Sequence, residues 1–187
     1  MTARSGMTDI ISTLRSMTNS GTADYTVNAV SFWSDDEMQR TLDRHRQDFY
    51  REELIPREEH TGASELEYTE YRTGYRNIES GTAYFAIEDA AGSAFGTALW
   101  SADYIGGIVT FTTDQEGSAR FLSARAYNME AAAADVWRLK MGHYADTRFD
   151  FSTDGHTINR SQLTKMAMDM VHFYESQGGA DTVEIFA

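Results

Sequence analysis

The spacing of apolar residues changes twice along this chain, and the change limits the possible folds more than any other feature of the sequence. Apolar residues recur at steps of three or four near both ends, as they do in amphipathic helices. Between Glu65 and Arg120 they alternate with polar residues, as they do in half-buried β-strands. The pattern therefore predicts an α+β fold, with a helical core and an inserted small antiparallel β lobe at about 65–120.

Three helices are predicted for the core, at about 35–53, 125–146 and 160–177. Before the first of them, Ser34 and Glu37 match a capping box, in which the two side chains satisfy amides of the first helical turn. Helical spacing is then kept by Met38, Leu42, His45 and Phe49. This combination predicts a helix that continues to Glu53.

The second and third helices each carry an apolar stripe. The stripe of the second comprises Tyr127, Ala131, Ala134, Trp137, Met141 and Tyr144. That of the third comprises Leu163, Met166, Ala167, Met170, Phe173 and Tyr174. Small alanines let a neighbouring helix approach closely, so the two helices are predicted to pack together. A further helix is predicted over Met7–Asn19, where Ile10, Ile11, Leu14 and Met17 have helical spacing.

The middle of the chain is predicted to form about four strands. Gly106-Gly107 lies between two apolar pairs, which is typical of a hairpin turn. Phe85 and Ile87 alternate with polar or small residues in another segment. The predicted organisation is thus a helical core made of residues 1–64 and 121–187, with residues 65–120 inserted as a β-rich lobe.

Composition excludes several classes of function. The formal net charge is −13, and an acidic surface repels phosphate backbones, so sequence-reading DNA binding is not expected. The absence of cysteine excludes disulfides and thiolate metal sites. No segment approaches the roughly 20 apolar residues that a membrane span needs, and Met1–Ser20 lacks the apolar run of a signal peptide. We therefore expect a protein of the cytoplasm, or one packaged from it.

Motifs of catalysis and cofactor binding are not found in the sequence. Neither Gly-rich phosphate loops nor the H-E-x-x-H and G-x-S-x-G patterns occur, so no cofactor and no catalytic residue is predicted. His143 and His172 lie on the two C-terminal helices and could face each other, but packed or surface histidines are commoner than metal ligands. A small metal-dependent hydrolase stays open as an alternative.

One segment resembles the first half of a calcium-binding loop. Asp150, Ser152 and Asp154 supply oxygen side chains at positions one, three and five, and Gly155 follows. The twelfth position is Ser161 instead of the bidentate Glu that such loops require. The segment is therefore interpreted as a turn whose flanking Phe149 and Phe151 anchor it on the adjacent helices.

Three stretches in a fixed order carry a resemblance to a known family. They are RAYNMEAAAADVWRLKMGHYA, FDFSTDG and NRSQLTKMAMDMVHFY. An Ala-rich helix with a tryptophan, an FDFS-x-DG link and a Met/Tyr-rich helix resemble the head–tail connector, or adaptor, proteins of tailed bacteriophages. The upstream WSDDEMQRTLDRHR and the strand Trp100–Tyr104 are similar to the same group. The resemblance covers about Phe32–Tyr50 and Leu99–Tyr174.

The resemblance implies a structural protein of the virion neck that is assembled in the host cytoplasm. Such a protein forms a ring, typically of twelve copies, beneath the portal protein, extends the DNA channel and docks a stopper or tail-completion protein. Another neck or tail-completion role is the nearest alternative. DNA would touch the ring only in passing and without specificity, and no membrane partner is implied. Residues proposed for structure or interfaces are Trp33, Tyr127, Trp137, Phe149, Phe151, Arg160, Met166, Met170, Tyr174, Val183 and Phe186.

Overall fold

The computed structural model describes residues 3–61, 65–146, 151–153, 156–158 and 160–178. In this part of the chain the helices are α1 (Thr8–Thr18), α2 (Asp35–Asp43), α3 (Met129–Asp146) and α4 (Arg160–Gly178). The strands are β1 (Tyr25–Val27), β2 (Val30–Phe32), β3 (Arg46–Thr61), β4 (Glu65–Arg72), β5 (Phe85–Asp89), β6 (Trp100–Asp103), β7 (Ile108–Phe111), β8 (Arg120–Tyr127), β9 (Phe151–Thr153) and β10 (His156–Ile158).

The chain divides into two compact units, each built from two segments. The first unit, residues 1–10 and 46–127, contains a six-stranded antiparallel sheet in the order β5-β8-β3-β4-β7-β6. The second, residues 11–45 and 128–187, contains α2, α3, α4 and two short hairpins. No helix among the described residues is both long and apolar enough to cross a membrane.

The size of this sheet shows that the predicted fold class was wrong. The fold is mixed, with 33% strand and 39% helix, and its six-stranded sheet is larger than a small lobe. The sheet takes in β3 and most of β8, which lie outside the predicted limits of 65–120. Residues 46–53 of β3 and residues 125–127 of β8 had been assigned to helices, because the apolar residues there also fit a helical period.

The helix predicted at 35–53 ends at Asp43. Its start is as predicted, since the Glu37 backbone N–H donates to Ser34 Oγ at 3.3 Å. From Arg46 the chain is instead a strand that pairs with β8 in its first half and with β4 in its second. Pairing with two strands distant in sequence satisfies backbone groups and buries side chains, and this outweighs a local helical pattern.

The helix predicted at 125–146 begins at Met129. The residues before it belong to β8, whose buried positions Leu122, Ala124 and Ala126 alternate as a strand requires. The helix predicted at 160–177 is present as α4, and the helix near the start of the chain is present as α1. The hairpin predicted around Gly106-Gly107 is also present, because β6 and β7 pair on either side of it.

The sheet curls until side chains from its two outermost strands meet. Phe85 of β5 lies 5.2 Å from Trp100 of β6, measured between ring centroids, and 5.0 Å from Tyr104. The segment at Ile78 bridges the gap between the strands, since its N–H donates to the Tyr104 carbonyl and it pairs with Ala126 of β8. The core of the first unit therefore lies inside the curl. Its fully buried side chains include Leu54, Tyr71, Ile87 and Leu122.

Candidate assembly interface

The outer face of α4 is an apolar surface of the second unit that lies open to solvent. One face of this helix packs against α3 and buries Ala167, Val171 and Tyr174, which follow one another at helical spacing. The flank of this face carries Met166 and Phe173, two turns apart, which are 44% and 52% exposed. Helix α4 thus has two apolar faces, of which α3 covers one.

A second apolar feature lies on a different side of the helix, near the start of α4. It is an open depression lined by Ala145, Ser161, Thr164, Lys165 and Met168. Met168 is about half exposed there. A shallow apolar depression with one lysine at its edge resembles a contact site for another polypeptide more than an enclosed small-molecule site.

Charge on α4 differs from charge on the chain as a whole. The helix carries two basic residues, Arg160 and Lys165, and two acidic residues, Asp169 and Glu175, whereas the full chain has a net charge of −13. Two copies of an acidic protein repel each other, so contact between them costs least where the surface charge is balanced. The outer face of α4 meets this condition.

The first unit has an exposed ribbon of its own, formed by β3 and β4 beyond Leu54. Pairing between β8 and β3 ends at Leu54, and from Ile55 onward β3 pairs with β4 among the described residues. Ile55 is 65% exposed and Leu66 is also exposed. The ribbon is strengthened by Glu70, whose Oε1 accepts hydrogen bonds from Arg57 and Arg72 at 3.0 Å each. Burial alone would raise the pKa of Glu70, but these two arginines lower it below its ordinary value.

A chain of ion pairs connects α2, α3 and α4 in the second unit. His45 Nε2 donates to Asp135 Oδ2 at 2.9 Å, and Arg138 donates to Asp135 Oδ1 at 2.6 Å. Arg138 also pairs with Glu175 of α4. Burial alone would raise the pKa of Asp135. The hydrogen bond from His45 and the nearby arginines outweigh this effect and lower the pKa below its ordinary value. The network links the residue His45, just after α2, to α3 and α4 on the side where Asp135 lies.

Lys140 is a buried cation with no sequence signal of its own. It is 4% exposed, and its Nζ donates to the carbonyl oxygens of Thr18 and Asn19 at 2.8 Å each. Burial lowers its pKa, while Asp24 at 3.9 Å acts in the opposite direction. The contact satisfies carbonyls that the C-terminal end of α1 leaves open. Lys140 therefore acts as a helix cap supplied by another element.

An aromatic cluster next to Lys140 contains one of the predicted interface residues. Tyr25 stacks on His143 with ring centroids 3.7 Å apart and on Phe32 at 5.0 Å, and Trp33 meets Tyr25 edge-on. Burial, together with the neighbouring Tyr144 and Asp24, raises the pKa of Tyr25 to about 12. Trp33 is fully buried. It supports the core of the second unit and does not form a surface.

The first unit contains a buried carboxylate that the sequence did not single out. The Glu79 side chain is fully buried, and it accepts hydrogen bonds from Arg4 Nε at 2.7 Å and from the Tyr127 hydroxyl at 2.6 Å. Arg4 Nη2 also donates to that hydroxyl at 2.9 Å. In the sequence, Glu79 is followed by Ser80 and Gly81, which indicates only a turn. Only the tertiary fold reveals its partners, which lie far away in sequence.

The predicted interface residues fall into three groups. Trp33, Tyr127, Trp137 and Tyr174 are buried in the protein itself. Met166 is exposed on α4 and Met170 is half-buried there. Phe151 lies in β9 and Arg160 begins α4, where their backbones alone are described. Phe149, Val183 and Phe186 lie outside the described residues. Met166 is thus the member of the set that the structure places on a free surface.

The two metal hypotheses receive no geometric support in the described part of the chain. His143 stacks on Tyr25, whereas His172 Nδ1 lies 3.5 Å from Glu175 Oε2, so each histidine has a neighbour of its own. Ser152 lies in the β9–β10 hairpin, while Asp150 and Asp154 fall outside the described residues. Among the residues that are described, no group of three or more His, Asp or Glu side chains could hold a metal ion.

Comparison with known proteins does not place the chain in a family. No protein-family model matches it, and no curated protein shows a significant match to its sequence. The residues and surfaces described above therefore provide the basis for the functional assignment.

Proposed function

We propose that the protein is a structural head-to-tail adaptor of a tailed bacteriophage. Copies of the chain would form a ring beneath the portal, extend the DNA channel and dock a stopper or tail protein. The observation that carries the proposal is the uncovered outer face of α4, where Met166 and Phe173 are about half exposed on a charge-balanced helix. The ordered motifs of the sequence, which resemble those of adaptor proteins, supply the class of assembly.

A closed ring needs two different surfaces on each subunit, because every copy contacts its two neighbours through opposite sides. The chain offers two such surfaces in different parts of its sequence. One is the outer face of α4, and the other is the β3–β4 ribbon that exposes Ile55 and Leu66. Apolar surface of this kind on a soluble protein is typical of contact with other polypeptides. A heterologous contact between copies would cover both.

The acidic character of the chain suits a channel through which DNA passes. A channel wall must not hold the phosphate backbone, and a net charge of −13 gives repulsion in place of binding. The same repulsion acts between subunits, so assembly requires apolar contacts strong enough to offset it. These contacts are assigned to Met166 and Phe173.

The proposal is tested by the assembly state of the protein, alone and co-expressed with a phage portal protein. Light scattering after size-exclusion chromatography and negative-stain electron microscopy measure the number of copies and the presence of a ring. We expect rings from the unchanged chain, and subunits that fail to assemble from Met166→Asp and Phe173→Asp.

The matched control is Ser12→Asp, which adds the same charge to an exposed polar position on a different helix, α1. Circular dichroism must show that all variants keep the fold. A chain that stays monomeric with the portal present, and is missing from purified virions, would show that the proposed function is wrong. Assembly that survives both aspartate substitutions would show that α4 is not the contact surface.

A further inference from the structure

The depression near the start of α4 joins apolar surface to a cation that has no partner. Ala145 and Met168 line it, and its volume of about 510 Å³ leaves room for a side chain of another molecule. Lys165 also lines it and is exposed. This lysine forms no ion pair with any other described residue, and the one other lysine of the chain, Lys140, is buried. The depression therefore offers an unpaired positive charge beside apolar surface.

The β3–β4 ribbon has the opposite charge. Residues 55–72 contain five glutamates and two arginines. Both arginines, Arg57 and Arg72, pair with the same carboxylate, that of Glu70. Glu58 is exposed and forms no ion pair with another described residue. The ribbon thus carries negative charge that its own arginines do not neutralise.

One face of the ribbon places an apolar side chain near the Glu58 carboxylate. Leu66 and Tyr68 are two residues apart in β4, so their side chains lie on the same face. Leu66 is 46% exposed. The Tyr68 hydroxyl donates to Glu58 Oε1 at 3.3 Å and so keeps that carboxylate on the face that carries Leu66.

A pair of opposed glutamates adds to the negative potential of the ribbon. Glu59 of β3 and Glu67 of β4 are direct partners in the strand register. Like charges directly opposite each other destabilise a strand pair, and a cation that approaches from outside reduces this cost. The ribbon is therefore stabilised by contact with a positively charged surface.

We infer that the depression on α4 receives the Leu66 face of the β3–β4 ribbon of a neighbouring copy. In this contact Leu66 lies against the apolar lining, and Glu58 pairs with Lys165. The two surfaces match in both respects, because each combines exposed apolar atoms with one unpaired charge of opposite sign. Both belong to every copy of the chain, so the same contact can repeat from subunit to subunit and close a ring.

The inference rests on the proposed self-assembly and specifies where on α4 the ribbon binds. Lys165 and Met166 are consecutive residues of the helix. A neighbour that covers the outer face of α4 therefore also reaches the edge of the depression. The contact includes an exposed ion pair, so added salt should weaken it, whereas salt has less effect on contacts of Met166 and Phe173.

Charge reversal tests the contact in the full-length chain assembled with a phage portal protein. Lys165→Glu brings two like charges together and should raise the protein concentration at half-assembly by about tenfold or more. Glu58→Lys should do the same from the other side. The double variant restores an opposite pair and should assemble within about twofold of the unchanged chain. Light scattering measures the assembled fraction.

Two variants control for the change in net charge. Arg76→Glu alters the charge as Lys165→Glu does, and Glu52→Lys alters it as Glu58→Lys does. Both control positions are exposed in the first unit and lie outside the ribbon. Each control should assemble as the unchanged chain does, and circular dichroism must show that every variant keeps the fold.

The possible results separate this contact from the proposed function. Rings that tolerate both single reversals overturn the contact and leave the adaptor proposal intact. Reversals that each weaken assembly, without recovery in the double variant, also overturn the pairing of Glu58 with Lys165. An unchanged chain that stays monomeric with the portal protein present overturns both proposals. Loss in each single variant and recovery in the double variant support both.

Cysteine pairs provide a second test that does not depend on charge. The chain contains no cysteine, so Leu66→Cys and Met168→Cys chains can be mixed in equal amounts, assembled with the portal protein and oxidised. The mixture should give disulfide-linked pairs on a non-reducing gel, whereas each variant alone has a cysteine on one side of the contact only. The control is Leu66→Cys mixed with Ser12→Cys, an exposed position of α1. Rings in which the two mixtures link equally contradict the inference.

Discussion

Lys140 Nζ lies 2.8 Å from the carbonyl oxygen of Thr18, so a lysine of α3 closes the C-terminal end of α1. The cation also lies 5.1 Å from the centre of the Trp137 ring. Thr18 is itself fully buried, and its hydroxyl donates to the Leu14 carbonyl at 2.7 Å. The Thr18 carbonyl is thus buried at the end of the helix, and Lys140 is its donor there.

We predict that Lys140→Met destabilises the protein by about 2–4 kcal/mol, because buried carbonyls lose a charged donor that water cannot easily replace. Urea unfolding followed by circular dichroism measures the loss. The matched control is Lys165→Met, since Lys165 is exposed on α4 and its replacement should change stability by less than about 0.5 kcal/mol. Equal effects at both positions would show that the Lys140 contact contributes little.

The raised pKa of Tyr25 predicts that the folded protein loses stability at alkaline pH. Its pKa in the folded protein is about 12, above the ordinary tyrosine value of 10.0, so the unfolded state releases this proton first. The stabilisation is therefore complete below pH 10 and is lost as pH rises through about 12. Tyr25→Phe should flatten this part of the stability profile, measured by urea unfolding at a series of alkaline pH values. Tyr50→Phe is the control, because Tyr50 is largely exposed, and it should leave the profile unchanged.

Gly107 is predicted to be essential for the turn between β6 and β7. Its φ is +71°, and an added Cβ would lie 2.0 Å from the Tyr75 carbonyl oxygen. Gly107→Ala combines an unfavourable backbone with a clash and should cost about 2–4 kcal/mol of unfolding free energy. Gly96→Ala is the comparison, since nothing lies within 4 Å of a Cβ there. Thermal unfolding of both variants measures the difference, and similar melting temperatures would contradict the prediction.

Ala167 is predicted to fix how closely α4 approaches the elements beneath it. The residue is fully buried on the face that packs against α3. Ala167→Leu inserts a larger side chain into a filled space and should destabilise by about 1–3 kcal/mol. Met168→Leu changes an exposed position of the same helix and should have little effect. If denaturant unfolding gives equal midpoints for the two variants, the packing at Ala167 is looser than described.

The sequence predicted elements well where local chemistry and tertiary packing agree. The capping box at Ser34, the helix α4 and the β6–β7 hairpin all form at the predicted places. The segment after Asp43 could not be assigned in this way, because Phe49 fits a helical stripe and an alternating strand equally well. Its conformation depends on β8, which is distant in the chain. Local patterns contain no information about such a partner.

The candidate surfaces could be predicted only in part, again because the local sequence does not identify the tertiary partner. Apolar residues on α4 identify faces that avoid water, but they do not show which face α3 covers. Met166 is on the free face, whereas Tyr174 is buried and its hydroxyl donates to the Met17 carbonyl at 2.9 Å. Glu79 could not be found at all, since a glutamate before a Ser-Gly pair is ordinary in an exposed turn. Its burial follows from Arg4 and Tyr127 converging on it.

The long strand β3 also determines the order in which the sheet can be completed during synthesis. Its second half pairs with β4, which follows directly in the chain, whereas its first half pairs with β8, at the far end of the sheet sequence. Closing such a long loop is slow compared with forming a hairpin. The β3–β4 ribbon can therefore form early, while Arg46–Leu54 keeps an open edge until β8 has left the ribosome. During that interval the nascent protein is most exposed to pairing with the wrong strand.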